Sequence, residues 1–132
     1  MKRFAIALFL LACGGSSVTN PPPAPPPPPG PPPPPPPPVS EATIEVRNSL
    51  FSPETVVLTR GGTVTFRWVG SGHTVTSVLS PSFSANTAVE NAPFTLGPIT
   101  FNTAGTYNFI CTVHGFVSSG QTSGMRGVII VQ

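Results

Sequence analysis

The sequence contains no aspartate, and its only lysine is Lys2. Charge of either sign is scarce. Beyond Lys2 and Arg3, four arginines (Arg47, Arg60, Arg67, Arg126) balance four glutamates (Glu41, Glu45, Glu54, Glu90). A neutral domain of this kind has no electrostatic footprint for nucleic acid, so that class of partner is set aside. A Ser-His-acid triad lacks any Asp, and Glu90 is the one acid after Glu54. Apolar residues show no period near 3.6 over a useful length, which argues against amphipathic helices. Histidine is limited to His73 and His114, cysteine to Cys13 and Cys111, and methionine after Met1 to Met125.

The first apolar run, Phe4–Leu11, is far shorter than the ~20 residues that span a bilayer. With Lys2 and Arg3 before it, residues 1–12 read as a signal peptide. The following Leu10-Leu11-Ala12-Cys13 resembles the lipobox of bacterial lipoproteins. That resemblance implies cleavage before Cys13, acylation of its thiol and a domain exported to the periplasm or cell surface on a membrane anchor. Gly14 stands where enteric inner-membrane lipoproteins carry Asp, so the outer membrane is the default. An acylated Cys13 cannot form a disulfide. Cys111 is then a single thiol in an oxidising compartment, and such a thiol needs a reason. From Pro21 to Pro38 every residue is Pro except Ala24 and Gly30. A run of this kind favours the polyproline II helix and reaches up to ~55 Å. Residues 13–40 therefore read as a lipidated cysteine and a stiff stalk.

Residues 41–132 carry strand signals throughout. Thr43–Val46, Thr55–Leu58, Val64–Trp68, His73–Val78, Ile99–Phe101, Thr106–Cys111 and Gly127–Val131 are short β-branched or alternating runs. Gly61-Gly62 is expected to be a turn, and Ser80–Pro93 a loop with one short edge piece. About seven or eight strands in a domain of this size predict an all-β, Greek-key sandwich. Along its strand Cys111 shares a face with Tyr107 and Phe109, and Met125 shares one with Ile129 and Val131. Both sulfurs are therefore expected to point inward.

His73, Cys111, His114 and Met125 supply every imidazole, thiol and thioether of the processed chain. A lone Cys, His or Met is commonly a structural residue. Four together invite a metal. Thiolate and thioether are soft donors that suit Cu(I), while imidazole suits both copper states. Two His and one Cys with a weak axial Met form the electron-transfer copper geometry. Zinc is a poorer account, because thioether is not among its usual donors.

The segments Phe51-Ser-Pro53, Gly61-Gly62-Thr-Val64-Thr-Phe66 and Gly72-His73-Thr-Val-Thr-Ser77 resemble the first half of a plastocyanin- or azurin-like cupredoxin. Gly105-Thr-Tyr107-Asn-Phe109-Ile-Cys111-Thr-Val-His114, then Met125-Arg-Gly127-Val-Ile-Ile-Val131, resemble the second. The resemblance implies one copper ion held by His73, Cys111, His114 and Met125, in a monomeric electron carrier that is not an enzyme. It also implies an exposed His114, ringed by Gly115, Phe116 and Val117, where redox partner proteins dock. Backbone N–H groups of Thr74 and Val113 are expected to donate to the Cys111 sulfur. Each imidazole is expected to have its second nitrogen hydrogen-bonded or solvated. One departure is plain: ten residues separate His114 from Met125, where the family has a few. The Gly- and Ser-rich stretch Gly115–Gly124 is expected to bulge outward, with Gln121 as the alternative axial ligand. The rival functions are a periplasmic copper store or delivery protein, and a metal-free adhesion module on a stalk.

Overall fold

The computed structural model describes residues 30, 31 and 33–132. The expected signal peptide, Cys13 and most of the proline run lie outside the described residues. Among those described there are nine strands and no helix: β1 (Val39–Arg47), β2 (Leu50–Ser52), β3 (Thr55–Trp68), β4 (Ser71–His73), β5 (Thr76–Val78), β6 (Glu90–Asn91), β7 (Phe94–Phe101), β8 (Gly105–Ser118) and β9 (Gln121–Val131). The all-β class expected from the alternation is the class observed. β1 begins at Val39, inside the stretch read as linker.

Strand β3 organises the molecule. Its first half, Thr55–Leu58, runs parallel to Val128–Val131 of β9. Its second half lies between β1, parallel, and β7, antiparallel. Gly61-Gly62, expected to be a turn, is instead a bend within this one strand, and two expected strands become one. Gly61 has a φ of 80°, and a Cβ on Gly62 would stand 2.8 Å from the Thr59 carbonyl oxygen and 2.9 Å from that of Ser40. Only a chain without side chains crosses so closely from one leaf of the sheet to the other. The second leaf continues from β9 through β8 to β5.

The opposite happens at His73–Val78, expected as one strand and found as two. β4 pairs with β6, whereas β5 pairs with β8. Between them His73, Thr74 and Val75 are all buried. The chain leaves its ladder there, and side-chain and sulfur acceptors take the amides.

The leaves close on a single aromatic core. Phe109 sits at its middle, fully buried. Its ring centroid lies 4.8 Å from that of Phe51 and 5.2 Å from that of Phe66, edge-on to both. That is the favoured geometry for ring quadrupoles. Outside, Glu45 of β1 pairs with Arg47 and with Arg67 on the adjacent β3. These guanidiniums hold the Glu45 carboxyl below its ordinary range, but on an exposed face such pairs add little stability.

Gly127 of β9 pairs with Phe109, and a Cβ there would collide with the edge of the Phe109 ring. A Gly127→Ala substitution is therefore expected to destabilise the domain by about 1–3 kcal/mol through overpacking. The midpoint of denaturant unfolding measures this, and an unchanged midpoint would contradict the packing described.

Candidate metal centre

Strands β8 and β9 form the longest ladder, and it is interrupted once. Ile110 pairs with Arg126 and Gly115 pairs with Gly124. Four residues of β8, Cys111 to His114, therefore stand opposite the single residue Met125. An excess of three residues cannot be absorbed by a regular pleat. The chain arches out of the sheet, and this arch carries both Cys111 and His114. Where strand parity alone would alternate their directions, the arch lets both turn to one point.

His73 reaches the same point from the other side, where the chain steps from β4 to β5. The Cys111 Sγ lies 3.8 Å from His73 Nδ1 and 3.5 Å from His114 Nδ1. All three donor atoms fall within 4.8 Å of one another. Two donors bound to one ion at ~2.0 Å (nitrogen) and ~2.3 Å (sulfur), at trigonal angles, would be about 3.7 Å apart. The spacing therefore fits a shared ion. The three residues differ in exposure: His73 and Cys111 are buried and His114 is open to solvent.

Met125 is buried as well, 3 % exposed and part of the core cluster that contains Cys111. Gln121 opens β9 at the far tip of the ladder, paired with Ser118 and exposed. Of the two axial candidates, only Met125 stands across from the ligand arch.

A set of threonines ties the two sides together. The Thr74 N–H donates to Cys111 Sγ at 3.4 Å, as expected. The Thr112 N–H donates to Thr74 Oγ1 at 2.8 Å, and the Thr74 and Thr112 hydroxyls lie 3.1 Å apart. Thr76 Oγ1 donates to Thr74 Oγ1 at 3.5 Å, and the Val75 N–H donates to Thr87 Oγ1. The residue that supplies the amide to sulfur is thus itself fixed to the ligand arch. Val113 was expected to add a second amide; among the described residues Thr74 is the only backbone donor to the sulfur. Val113 lies at the outer part of the arch, 52 % exposed. Threonine side chains acting on a neighbouring segment leave no periodic signal, so sequence reasoning missed Thr76, Thr87 and Thr112.

A second expectation fails at His73. Its Nε2 is buried and without a hydrogen-bond partner in the protein. Trp68, which contacts this residue through an Nε1–H bond to the His73 carbonyl oxygen at 3.1 Å, is a donor only and offers the ring no acceptor. An imidazole lacking an acceptor behind it is a weaker electron donor at its other nitrogen.

The ten-residue stretch before Met125 was expected to bulge. It is a paired hairpin: Phe116 faces Ser123, Val117 faces Thr122 and Ser118 faces Gln121. Ser119 and Gly120, with φ of 50° and 74°, make the two-residue turn that suits the twist of antiparallel strands. The Ser-Gly pair between short strands was the signal for it.

The family model described as a cupredoxin-like domain matches residues 32–131. The chain belongs to this cupredoxin-like family. The family holds a single copper ion, and the His73, Cys111 and His114 cluster fits such a site. Solved structures share the fold. A pseudoazurin from Sinorhizobium meliloti is 24% identical, with 70% of this chain and 73% of that one covered and a TM-score of 0.52. The amicyanin of Paracoccus versutus is also 24% identical, over 72% of this chain and 84% of its own, with a TM-score of 0.50. A purple cupredoxin from Nitrosopumilus maritimus is 20% identical, over 69% of this chain and 99% of its own, with a TM-score of 0.53. No curated protein sequence matches the chain.

Burial first, and then the charge His114 acquires, hold the His73 imidazole below its ordinary pKa of 6.5. In the unfolded chain His73 takes up a proton near 6.5; in the folded one it stays neutral to lower pH. Stability of the metal-free protein is then full above that value and falls as pH drops from it toward the folded pKa. Melting temperature against pH should show this loss in the wild type. A His73→Gln variant should show a smaller loss, and equal losses would contradict the burial assigned to His73.

Proposed function

We propose that this chain is a mononuclear type 1 copper electron carrier of the bacterial cell envelope, anchored through lipid on Cys13. In this reading His73, Cys111 and His114 are the strong ligands and Met125 the weak axial one. The observation that carries it is the convergence of one buried sulfur and two imidazole nitrogens within 4.8 Å of one another, one imidazole buried and one at the surface. Copper, when bound, supplies the one-electron couple between Cu(I) and Cu(II). Each residue then has a part that the chain's own geometry supports.

Cys111, fully buried, keeps the sulfur away from water, and the Thr74 amide stabilises negative charge on it. Such a hydrogen bond draws electron density from sulfur and tunes the potential. The buried His73, with no acceptor behind Nε2, donates weakly and so favours the reduced state. His114, exposed, is the way in and out for electrons. Around it Val113, Phe116 and Val117 are exposed apolar residues, a patch of the kind on which redox partners dock briefly. No charged residue occurs between Cys111 and Met125, so docking there relies on apolar contact and varies little with salt.

A carrier must change oxidation state with little movement. The ladder continues on both sides of the arch, which fixes its two ends, and the threonine bonds fix its middle. The rival role in copper storage or delivery drew its support from a flexible loop before Met125, and that stretch is a paired hairpin. Two His and one Cys converging in a single cluster favour a carrier over an enzyme.

Copper-loaded protein is expected to show intense visible absorption that disappears on reduction and is absent from a Cys111→Ser variant. A colourless Cu(II) form in the wild type would contradict this role. Separately, the wild type is expected in the membrane fraction and a Cys13→Ser variant in the soluble envelope fraction. Equal partition of the two would remove the lipid anchor from the account.

A further inference from the structure

The hairpin between His114 and Met125 is closed at its base by two glycines in register, Gly115 and Gly124. A Cβ on Gly115 would stand 2.6 Å from the Met125 carbonyl oxygen, 3.0 Å from that of Ser123 and 3.2 Å from that of Cys111. A Cβ on Gly124 would run into the His114 carbonyl oxygen and stand 3.0 Å from the Gly115 Cα. Every one of these atoms is backbone, so none can swing aside. Gly124 also has a φ of 74°, in the region that favours glycine. The two strands thus touch backbone to backbone at the step that separates His114 from Met125.

Gly120, at the hairpin tip, provides a contrast. Its φ is also 74°, yet nothing lies within 4 Å of the position a Cβ would take. Gly120 serves the turn alone, whereas Gly115 and Gly124 serve a close approach. Beyond them the hairpin residues 116–119 and 121 are exposed and Thr122 and Ser123 are half-buried; none of the residues from Phe116 to Ser123 belongs to the buried core.

We propose that Gly115 and Gly124 are positioning residues, a clamp that holds Met125 across from the Cys111–His114 arch. The residues Phe116–Ser123 are then a separable arm that takes no part in placing the ligands. The inference rests on the reading of Met125 as the axial ligand. It accounts for the long interval between His114 and Met125. Remove the arm, and His114-Gly115-Gly124-Met125 remains, a Gly-Gly pair of the sort that two-residue turns accept. The ligand loop is in effect short, with a hairpin grafted at its middle.

The test compares the full-length wild type with Gly124→Ala, Gly120→Ala and a deletion of Phe116–Ser123. The readouts are the visible and paramagnetic resonance spectra and the reduction potential of the copper form. The chemical shift of the Met125 methyl group is followed in the metal-free form. Gly124→Ala is expected to change the spectra, shift the potential and move the methyl resonance. Gly120→Ala, with the same backbone strain, is expected to leave all three at their wild-type values. The deletion is expected to retain copper uptake and colour. A Gly124→Ala protein that folds with wild-type spectra, potential and methyl shift would overturn the clamp. A deletion variant that loses its colour would do the same, and it decides the matter if Gly124→Ala does not fold. A colourless wild type would count against the ligand assignment instead, and the metal-free methyl shifts would then decide the clamp alone.

Discussion

The centre depends on a mismatch in strand length. Across one gap in the β8–β9 ladder, four residues on one strand answer to one on the other. A sheet without that excess would send Cys111 and His114 to different faces or keep both in the ladder. The arch frees both side chains, and the ladder on either side of it determines where they go. The hydrogen bonds lost in the arch are partly replaced by Thr74, which accepts the Thr112 amide. The same residue gives its own amide to the sulfur, so one side chain joins the two halves of the site.

Around this point the core is built to be stiff. Phe51 and Phe66 each meet Phe109 edge to face, and Phe109 lies two residues before Cys111 on β8. Aromatic rings fill space with few rotatable bonds, and interiors packed at crystal-like density yield little to local strain. Glycine enters where backbones must nearly touch, at Gly62 where β3 crosses between leaves and at Gly115 and Gly124 at the base of the hairpin, and where a ring fills the space, at Gly127 against Phe109. At each of these places a missing side chain brings two segments closer than any other residue permits.

Much of this was legible in the residues. Period-two alternation at Val64, Phe66 and Trp68 and at Tyr107, Phe109 and Cys111 located strands and their inward faces. The scarcity of His, Cys and Met made His73, Cys111 and His114 candidates as a group. Local pattern failed where the chain did something non-local. Gly61-Gly62 looks like a turn because nothing nearby reveals that β3 continues into a second leaf. His73–Val78 looks like one strand because the competing acceptors, Cys111 and Thr87, are distant in sequence. The hairpin before Met125 reads as loose because Gly and Ser favour turns and loops, yet backbone pairing does not require apolar side chains. The missing acceptor behind His73 is a property of packing and leaves no trace in the sequence.

In the proposed centre one sulfur and two imidazoles share an ion. X-ray absorption at the copper edge of the loaded protein reads that shell. One short sulfur and two imidazole nitrogens are expected, changed little on reduction. A shell of nitrogen and oxygen alone, with no short copper–sulfur distance, would contradict the proposed centre.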